Sequence, residues 1–451
     1  MNSIVIVGSG PAGAATALLL AQRGIRVTLL EKETAFERVF RGEGLMPAGL
    51  DALYQMGLKE TFESIPSRPL TSWDFYVGGQ RRMRVQEPGP LLPQGEGLGM
   101  RASVIPTADT SSTRTSLKPN SLATQIIDQG ALLRAMVEKA QQLPNFEFYA
   151  GWQVSDLLRD ESGAVVGVRA ACEGEQRDFW ADGAIACDGR YSRLRKLAGL
   201  QINQSPAQFD VLWFKLPAPP SFNQQAVSQT PSSPTPFIAC LQADRQFALY
   251  PSWDGRLQIG WIVEKSAHQA GGLAALKQKD WIEEFSQALP PELAQHFRDR
   301  RGELEGPIYL DVQVGCCEQW SIPGLLLIGD AAHPMAPNRA QGINMALRDA
   351  IVVANHFAAL APESGADSHA VFHKLFQDIQ AARQPEIEAV QAMQLSEWRK
   401  VAFISQPGLP YWGFKAVISL LGRFGFVQNI WLHEQKGLRE GVLPVRLQNV
   451  R

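Results

Sequence analysis

The sequence predicts an α/β protein in which a parallel sheet is interrupted by an inserted antiparallel sheet and followed by a C-terminal helical region. Three observations carry this. The first 31 residues read strand, glycine turn, helix, strand. A set of β-patterned segments farther along lacks helix-length spacers. The stretch from His369 onward reads as helix, with breaks expected at Pro385, Pro407 and Pro410.

Taken in order, Ser3–Val7 is a short β-branched run of the kind buried on both faces of a sheet. Met1–Val7 is apolar but lacks a basic leader and a cleavage site, so it reads as strand and not as a signal peptide. Ala12–Arg23 is rich in Ala and Leu, and Gly24 suits its C-terminal cap. Val27–Leu30 is a second strand. Ser72–Val77 and Asp210–Leu216 are β-patterned. Phe247–Tyr250 and Leu257–Val263 flank the turn Trp253-Asp254-Gly255-Arg256, a hairpin signal. Gln129–Gln142 and Ala340–Leu360 read as helices. Pro106–Ser121 and Pro217–Pro236 read as surface loops from their Ser, Thr, Pro and Gln content. The resulting division places the first domain in 1–70, 106–200 and 311–365, the inserted sheet in 71–105 and 201–310, and the helical region in 366–451.

Composition narrows the function. Apolar residues make up 45% of the 451 and charged residues 20%, which is a globular balance. A net charge of −2 offers no footing for nucleic acid. The five cysteines are scattered, with only Cys316 and Cys317 adjacent, and no metal-ligand or disulfide spacing is present. A reduced, cytoplasmic setting fits. No apolar run approaches the roughly 20 residues that span a bilayer.

Three motifs point to one dinucleotide. Gly8-Ser9-Gly10-Pro11-Ala12-Gly13 lies between strand and helix, with Glu31 and Lys32 at the end of the next strand. Glycines there allow the tight turn and close backbone approach. The helix N-terminus offers free N–H donors to a pyrophosphate, and Glu31 suits a ribose. Cys187-Asp188-Gly189 closes a second apolar run. Gly329-Asp330-Ala331-Ala332-His333 closes a third, followed by Pro337 and by Gln341-Gly342-Ile343-Asn344 at the start of a long helix. Each of the last two brings an Asp to a strand end, and the long helix offers N–H groups to negative charge.

With these residues the chain resembles the class A flavoprotein monooxygenases of the p-hydroxybenzoate hydroxylase fold, and among them the ubiquinone-pathway hydroxylases and related aromatic hydroxylases. The resemblance covers roughly residues 1–360 and implies a Rossmann-like FAD-binding domain with an inserted substrate sheet. It further implies that Asp188-Gly189 serves FAD and NAD(P)H, and that Asp330 contacts the ribityl chain. Arg41 would reach the cofactor phosphates, and Gln129 and Val154 would contact FAD. Pro337, Gln341 and Gly342 would face the flavin. Ala340 stands where the family has glycine, beside Arg339. The implied reaction is NAD(P)H-dependent hydroxylation of an aromatic or lipophilic substrate, quinone precursors included, through a flavin C4a-hydroperoxide formed with dioxygen.

Other features weigh less. His333 is expected to be structural and His433 a surface residue. Gly95–Gly99 lacks a preceding strand and reads as a loop. Arg81, Arg82 and Arg84 suit a solvated strand edge. No second dinucleotide fingerprint appears, so any nicotinamide would bind transiently. The alternative function is an FAD-dependent reductase of a polyprenyl or isoprenoid substrate, against which His333 argues. A halogenase would carry WxWxIP, which is absent. Residues 401–433 are rich in aromatics, and Ile418, Leu421 and Phe424 fall at helical spacing. Packing on the FAD domain is the first expectation for them, and peripheral contact with a membrane the second.

Overall fold

The β-branched run Ser3–Val7 forms a central strand of a six-stranded sheet in the computed structural model, which describes residues 3–36, 42–89, 122–205, 209–222, 234–265, 276, 279–359 and 368–448. Its neighbours are Gly183–Ala186 on one side and Arg26–Glu31 on the other, both parallel. Leu325–Leu327 and Phe146–Ala150 extend the parallel array outward, and Ser321–Ile322 adds an antiparallel edge. The helix Pro11–Gln22 packs between the sheet and the helices Gln129–Gln141 and Gln341–Ala358. It is buried from Ala12 to Ala21, which is why it is apolar all round. Gly24, at φ +82°, ends it as expected.

The inserted sheet has seven strands, in the order Glu305–Leu310, Phe209–Pro217, Arg256–Glu264, Arg245–Pro251, Pro236–Gln242, Ser72–Val77, Gln80–Gln86. The expected hairpin forms, with Pro251 opposite Leu257. One pair departs from the antiparallel pattern: Pro236–Gln242 runs parallel to Ser72–Val77. These strands belong to chain segments separated by a long excursion, so no tight turn fixes their relative direction. One face of the sheet packs Phe214, Leu249 and Ile259 against the helices Trp281–Ser286 and Pro291–Asp299. The opposite face sets Phe209, Val211 and Trp213 against Ala336 of the parallel-sheet domain and Trp398 of the tail.

The tail corrects two expectations. Helix Ser368–Ile404 runs through Pro385 without a break. A proline inside a helix costs about 3 kcal/mol, but this helix is anchored on both sides of it. Phe376, Ile379, Ile387 and Val390 are buried in the main core, and Arg383 and Glu386 are buried in an ion network. The helix ends before Pro407, and Gly408 reverses the chain at φ +98°. Helix Leu409–Leu421 then packs Tyr411 and Ile418 chiefly with Met83, Val85 and Trp73 at the edge of the inserted sheet, with Met46 of the first domain in the same cluster. Those side chains complete an apolar strip that the edge strand leaves open. Helix Gly425–Glu440 spans from that edge to helix Pro47–Gln55. Pro106–Ser121, Gly95–Gly99 and residues 223–233 lie outside the described residues.

Asp349, wholly buried, accepts from the Arg383 Nε–H at 2.7 Å, the Gly329 N–H at 3.0 Å and the His333 ring at 2.8 Å. Glu386 pairs with Arg383 and, at 2.7 Å, with Arg348. It also accepts the N–H groups of Val442 and Leu443 at 2.9 and 3.2 Å. Replacing Arg383 by Ala leaves two buried carboxylates short of a cation and is expected to cost about 3–5 kcal/mol. Urea unfolding of the parent and the variant measures it, and a loss below about 1 kcal/mol would contradict the importance of this network.

Candidate active site

The parallel strands all end at one edge, and there the three motifs meet. Gly8 has φ +99°, and a Cβ there would lie 2.4 Å from the Cys187 carbonyl oxygen; at Gly13 it would lie 1.8 Å from the Gly8 oxygen. Only glycine fits either position. Gly10 is the N-cap of the Pro11–Gln22 helix, with Pro11 in its first turn, so the N–H groups of Ala12 and Gly13 point outward without intrahelical partners. Ser9 is buried and gives its N–H and hydroxyl to Glu31 Oε2 at 2.7 and 2.8 Å. Glu31 Oε1 takes the Glu33 N–H at 3.1 Å. Lys32 is exposed and pairs with Glu33. Gln129 opens a helix capped by Asp128. Val154 is buried just beyond the crossover in which the Trp152 N–H meets the Glu31 carbonyl. Arg41 lies outside the described residues.

Asp188 is spent within its own loop. Its oxygens accept from the Ser192 hydroxyl at 2.5 Å and from the N–H groups of Arg193 and Leu194 at 2.7 and 3.1 Å, capping helix Arg193–Leu197. Burial pushes its carboxyl upward against those bonds. Gly189 follows at φ +84°. Arg195 then reaches across to donate to the Ala331 carbonyl at 2.8 Å, clamping this loop to the next. In that next loop Gly329 sits at φ +59°. Asp330 keeps its carboxylate about a third exposed, with Arg190 at 3.8 Å as a charge partner. Gly342 comes beside it, since a Cβ there would lie 3.6 Å from Asp330 Oδ1. His333 is turned inward, bonded to Asp349 and tilted against the Trp320 ring at 4.9 Å. His433 is exposed.

Pro337 leads into the turn that starts the long helix. Arg339 and Ala340 have φ +60° and +50°, left-handed values that favour glycine and cost about 1–3 kcal/mol each in other residues. Arg339 is held there over the rings of Trp73 and Trp431, at 4.5 and 4.9 Å, and by Glu397 at 2.6 Å. The Ala340 methyl faces Gly44, where a Cβ would come within 3.0 Å of it. Gln341 gives its amide to the Arg339 and Leu438 carbonyls, Ile343 is buried, and Asn344 accepts the Met46 N–H at 2.9 Å. Of the basic cluster, Arg84 and Arg81 both pair with buried Asp74.

Sequence reasoning missed one group. Glu43, two residues past Arg41, is buried between the domains. It accepts the Ser252 hydroxyl at 2.6 Å, with Lys215 Nζ at 3.5 Å. Burial, aided by Asp254 and opposed by Ser252 and Lys215, pushes its carboxyl up to about 7. The available signal was a Lys in the otherwise apolar run Val211–Leu216.

Free N–H donors at one helix end, an acid at one neighbouring strand end and an open carboxylate at another fit a dinucleotide carrying a polyol chain. Residues 1–373 match the family described as FAD binding domain. The chain belongs to that family. It is 30% identical to the 6-methylpretetramide 4-monooxygenase of Streptomyces rimosus over 88% of this chain and 84% of the relative. It is 24% identical to the 6-hydroxynicotinate 3-monooxygenase of Pseudomonas fluorescens over 86% and 89%. It shares its fold with p-nitrophenol 4-monooxygenase PnpA of Pseudomonas putida, at a TM-score of 0.68 and 18% identity over 98% of this chain and 100% of that one. The protein is an FAD-dependent monooxygenase of the class A flavoprotein type.

Glu43 also sets a pH dependence. Its carboxyl is raised from 4.5 to about 7 on folding, so between those values the folded chain holds a proton that the unfolded chain has lost. Stability from this group therefore declines as pH rises through that window. Glu43→Gln is expected to gain on the order of 2–3 kcal/mol over the parent above about pH 7, and to lose that advantage near pH 4.5. Thermal unfolding at the two pH values measures it, and an equal difference at both would contradict the shift.

Proposed function

We propose that this enzyme hydroxylates an aromatic substrate with NAD(P)H and dioxygen, and that the convergent strand ends are its FAD site. Reduced FAD supplies activation of dioxygen and transfer of one oxygen atom. The chain's own residues bind and orient. The N–H groups after Gly10 take the pyrophosphate, for which Arg41 would add a positive charge, and Glu31 takes the adenosine ribose. Gln129 and Val154 border the adenosine side. Asp330 takes a ribityl hydroxyl, and the N–H groups from Gly342 to Asn344 face the flavin's electron-rich edge. Asp188 and Gly189 shape the loop from which Arg195 fixes the Asp330 turn. The single observation carrying this is the open Asp330 carboxylate, set beside a helix N-terminus by a network that leaves it few partners of its own.

The relatives named 6-methylpretetramide 4-monooxygenase and 6-hydroxynicotinate 3-monooxygenase support an aromatic substrate. They also favour oxygenation over the polyprenyl reductase alternative. NAD(P)H would bind transiently against the same domain. With labelled dioxygen and an accepted substrate, the product is expected to carry one labelled oxygen by mass spectrometry. A product that forms equally well without oxygen, or carries no label, would favour the reductase.

A second reading concerns access. No described helix is long and apolar enough to cross a membrane. Yet Phe403, Leu409, Trp412, Leu420, Phe426 and Ile430 are exposed across the three helices of the tail, with Lys415 and Arg423 over aromatic rings. We propose that this surface meets a lipid interface and admits lipophilic substrates. Trp412→Ser combined with Leu420→Ser is expected to abolish liposome flotation of the folded protein. Failure of the parent to float would end this reading.

A further inference from the structure

Lys215, Gln258 and Tyr250 stand directly opposite one another on three adjacent strands. Directly paired residues project to one face of a sheet. That face is the one where Trp213 lies over Gly260 and meets Ala336, so it looks toward the loop that starts the long helix. The adjoining row is small: Gly260, Ala248 and Ala239 are also paired across the strands. Glu43 arrives from the other domain. A Cβ added at its neighbour Gly44 would lie 3.0 Å from the Ala340 methyl, and one added at Gly342 would lie 3.6 Å from Asp330 Oδ1, so Glu43 lies beside the turn that leads to the proposed flavin site. Gln258 is wholly buried, and both atoms of its amide lack a partner among the described residues. Buried amides are almost always satisfied, so this one points to a polar ligand.

We infer that Gln258, Lys215 and Glu43 form the polar end of the substrate site, that they recognise a phenolic hydroxyl, and that Glu43 exchanges the proton of that hydroxyl. This rests on the monooxygenase reading for its reaction but not for its binding chemistry. The Gln258 amide N–H and the Lys215 ammonium donate to the phenol oxygen. The O–H bond breaks toward a Glu43 oxygen, leaving a phenolate that is more electron-rich at the ring carbons ortho and para to it. After oxygen is inserted, Glu43 returns the same proton to the product's oxygen, so the carboxylate gains and loses nothing overall. The groups facing Glu43 are Ser252, Lys215 and Asp254 from the sheet, with Tyr250 against its backbone. Together they leave it close to half ionised at neutral pH, the condition in which a carboxyl both takes and returns a proton.

The test uses oxidised holoenzyme without NAD(P)H, and p-cresol as probe, which stays neutral near pH 7. Binding is read from the change in flavin absorbance. A charged carboxylate accepts a phenol O–H more strongly than a neutral carboxyl does. The parent's Kd is therefore expected to fall by about tenfold as pH rises through about 7. Glu43→Gln is expected to bind with a flat profile, and Gln258→Leu to bind about tenfold more weakly at every pH while keeping the step. An unchanged flavin spectrum in each variant shows that the fold is retained. Persistence of the step in Glu43→Gln, unaltered binding by Gln258→Leu, or no p-cresol binding by the parent overturns the inference. Absence of labelled oxygen in a product, with the binding pattern intact, overturns the monooxygenase reading alone.

Discussion

The buried carboxylate of Asp349 is the constraint on which the cofactor edge depends. A charge removed from water must be matched by donors, and here three donors come from two parts of the chain. The backbone of Gly329 and the ring of His333 belong to the loop that carries Asp330, while Arg383 belongs to the tail. Burial pushes the Asp349 carboxyl upward, but His333 and Arg383 outweigh it and hold it below the usual range. The charge then passes along Arg383, Glu386 and Arg348 to the backbone at Val442 and Leu443. Helix Ser368–Ile404 is thus a brace for the loop. Because Asp349 absorbs the loop's inward donors, Asp330 beside it keeps its acceptors for something else.

The same economy holds the two domains together. Arg195 clamps one strand-end loop to the next. Arg339 keeps a left-handed backbone that it would not adopt alone, because Trp73 from the inserted sheet, Trp431 from the tail and Glu397 all hold its side chain. Ala340 follows in the same conformation, which explains why glycine is the easier residue there. The turn that would face a flavin is therefore set by three parts of the chain at once.

Much of this was legible in the sequence. Ser3–Val7, Gly8–Gly13 and Glu31 announce a nucleotide-binding unit because local backbone needs and β-branching are written in adjacent residues. The hairpin at Asp254-Gly255 is legible for the same reason. Pro385 misled because its penalty is local, while the anchoring by Arg383 and Glu386 is tertiary. The parallel pairing of Pro236–Gln242 with Ser72–Val77 was hidden because no turn joins them. Glu43, Lys215 and Gln258 were missed as a group because more than 170 positions separate the first from the second, and docking of the domains alone unites them.

The most direct measurement is FAD titration into apoprotein of the parent and of Asp330→Ala, with thermal unfolding of both apo forms alongside. If Asp330 is held open to bond a cofactor hydroxyl, the variant loses about ten- to a hundredfold in FAD affinity, the worth of one charge-assisted hydrogen bond, and unfolds at the parent's temperature. Equal FAD affinity in the two proteins would contradict it.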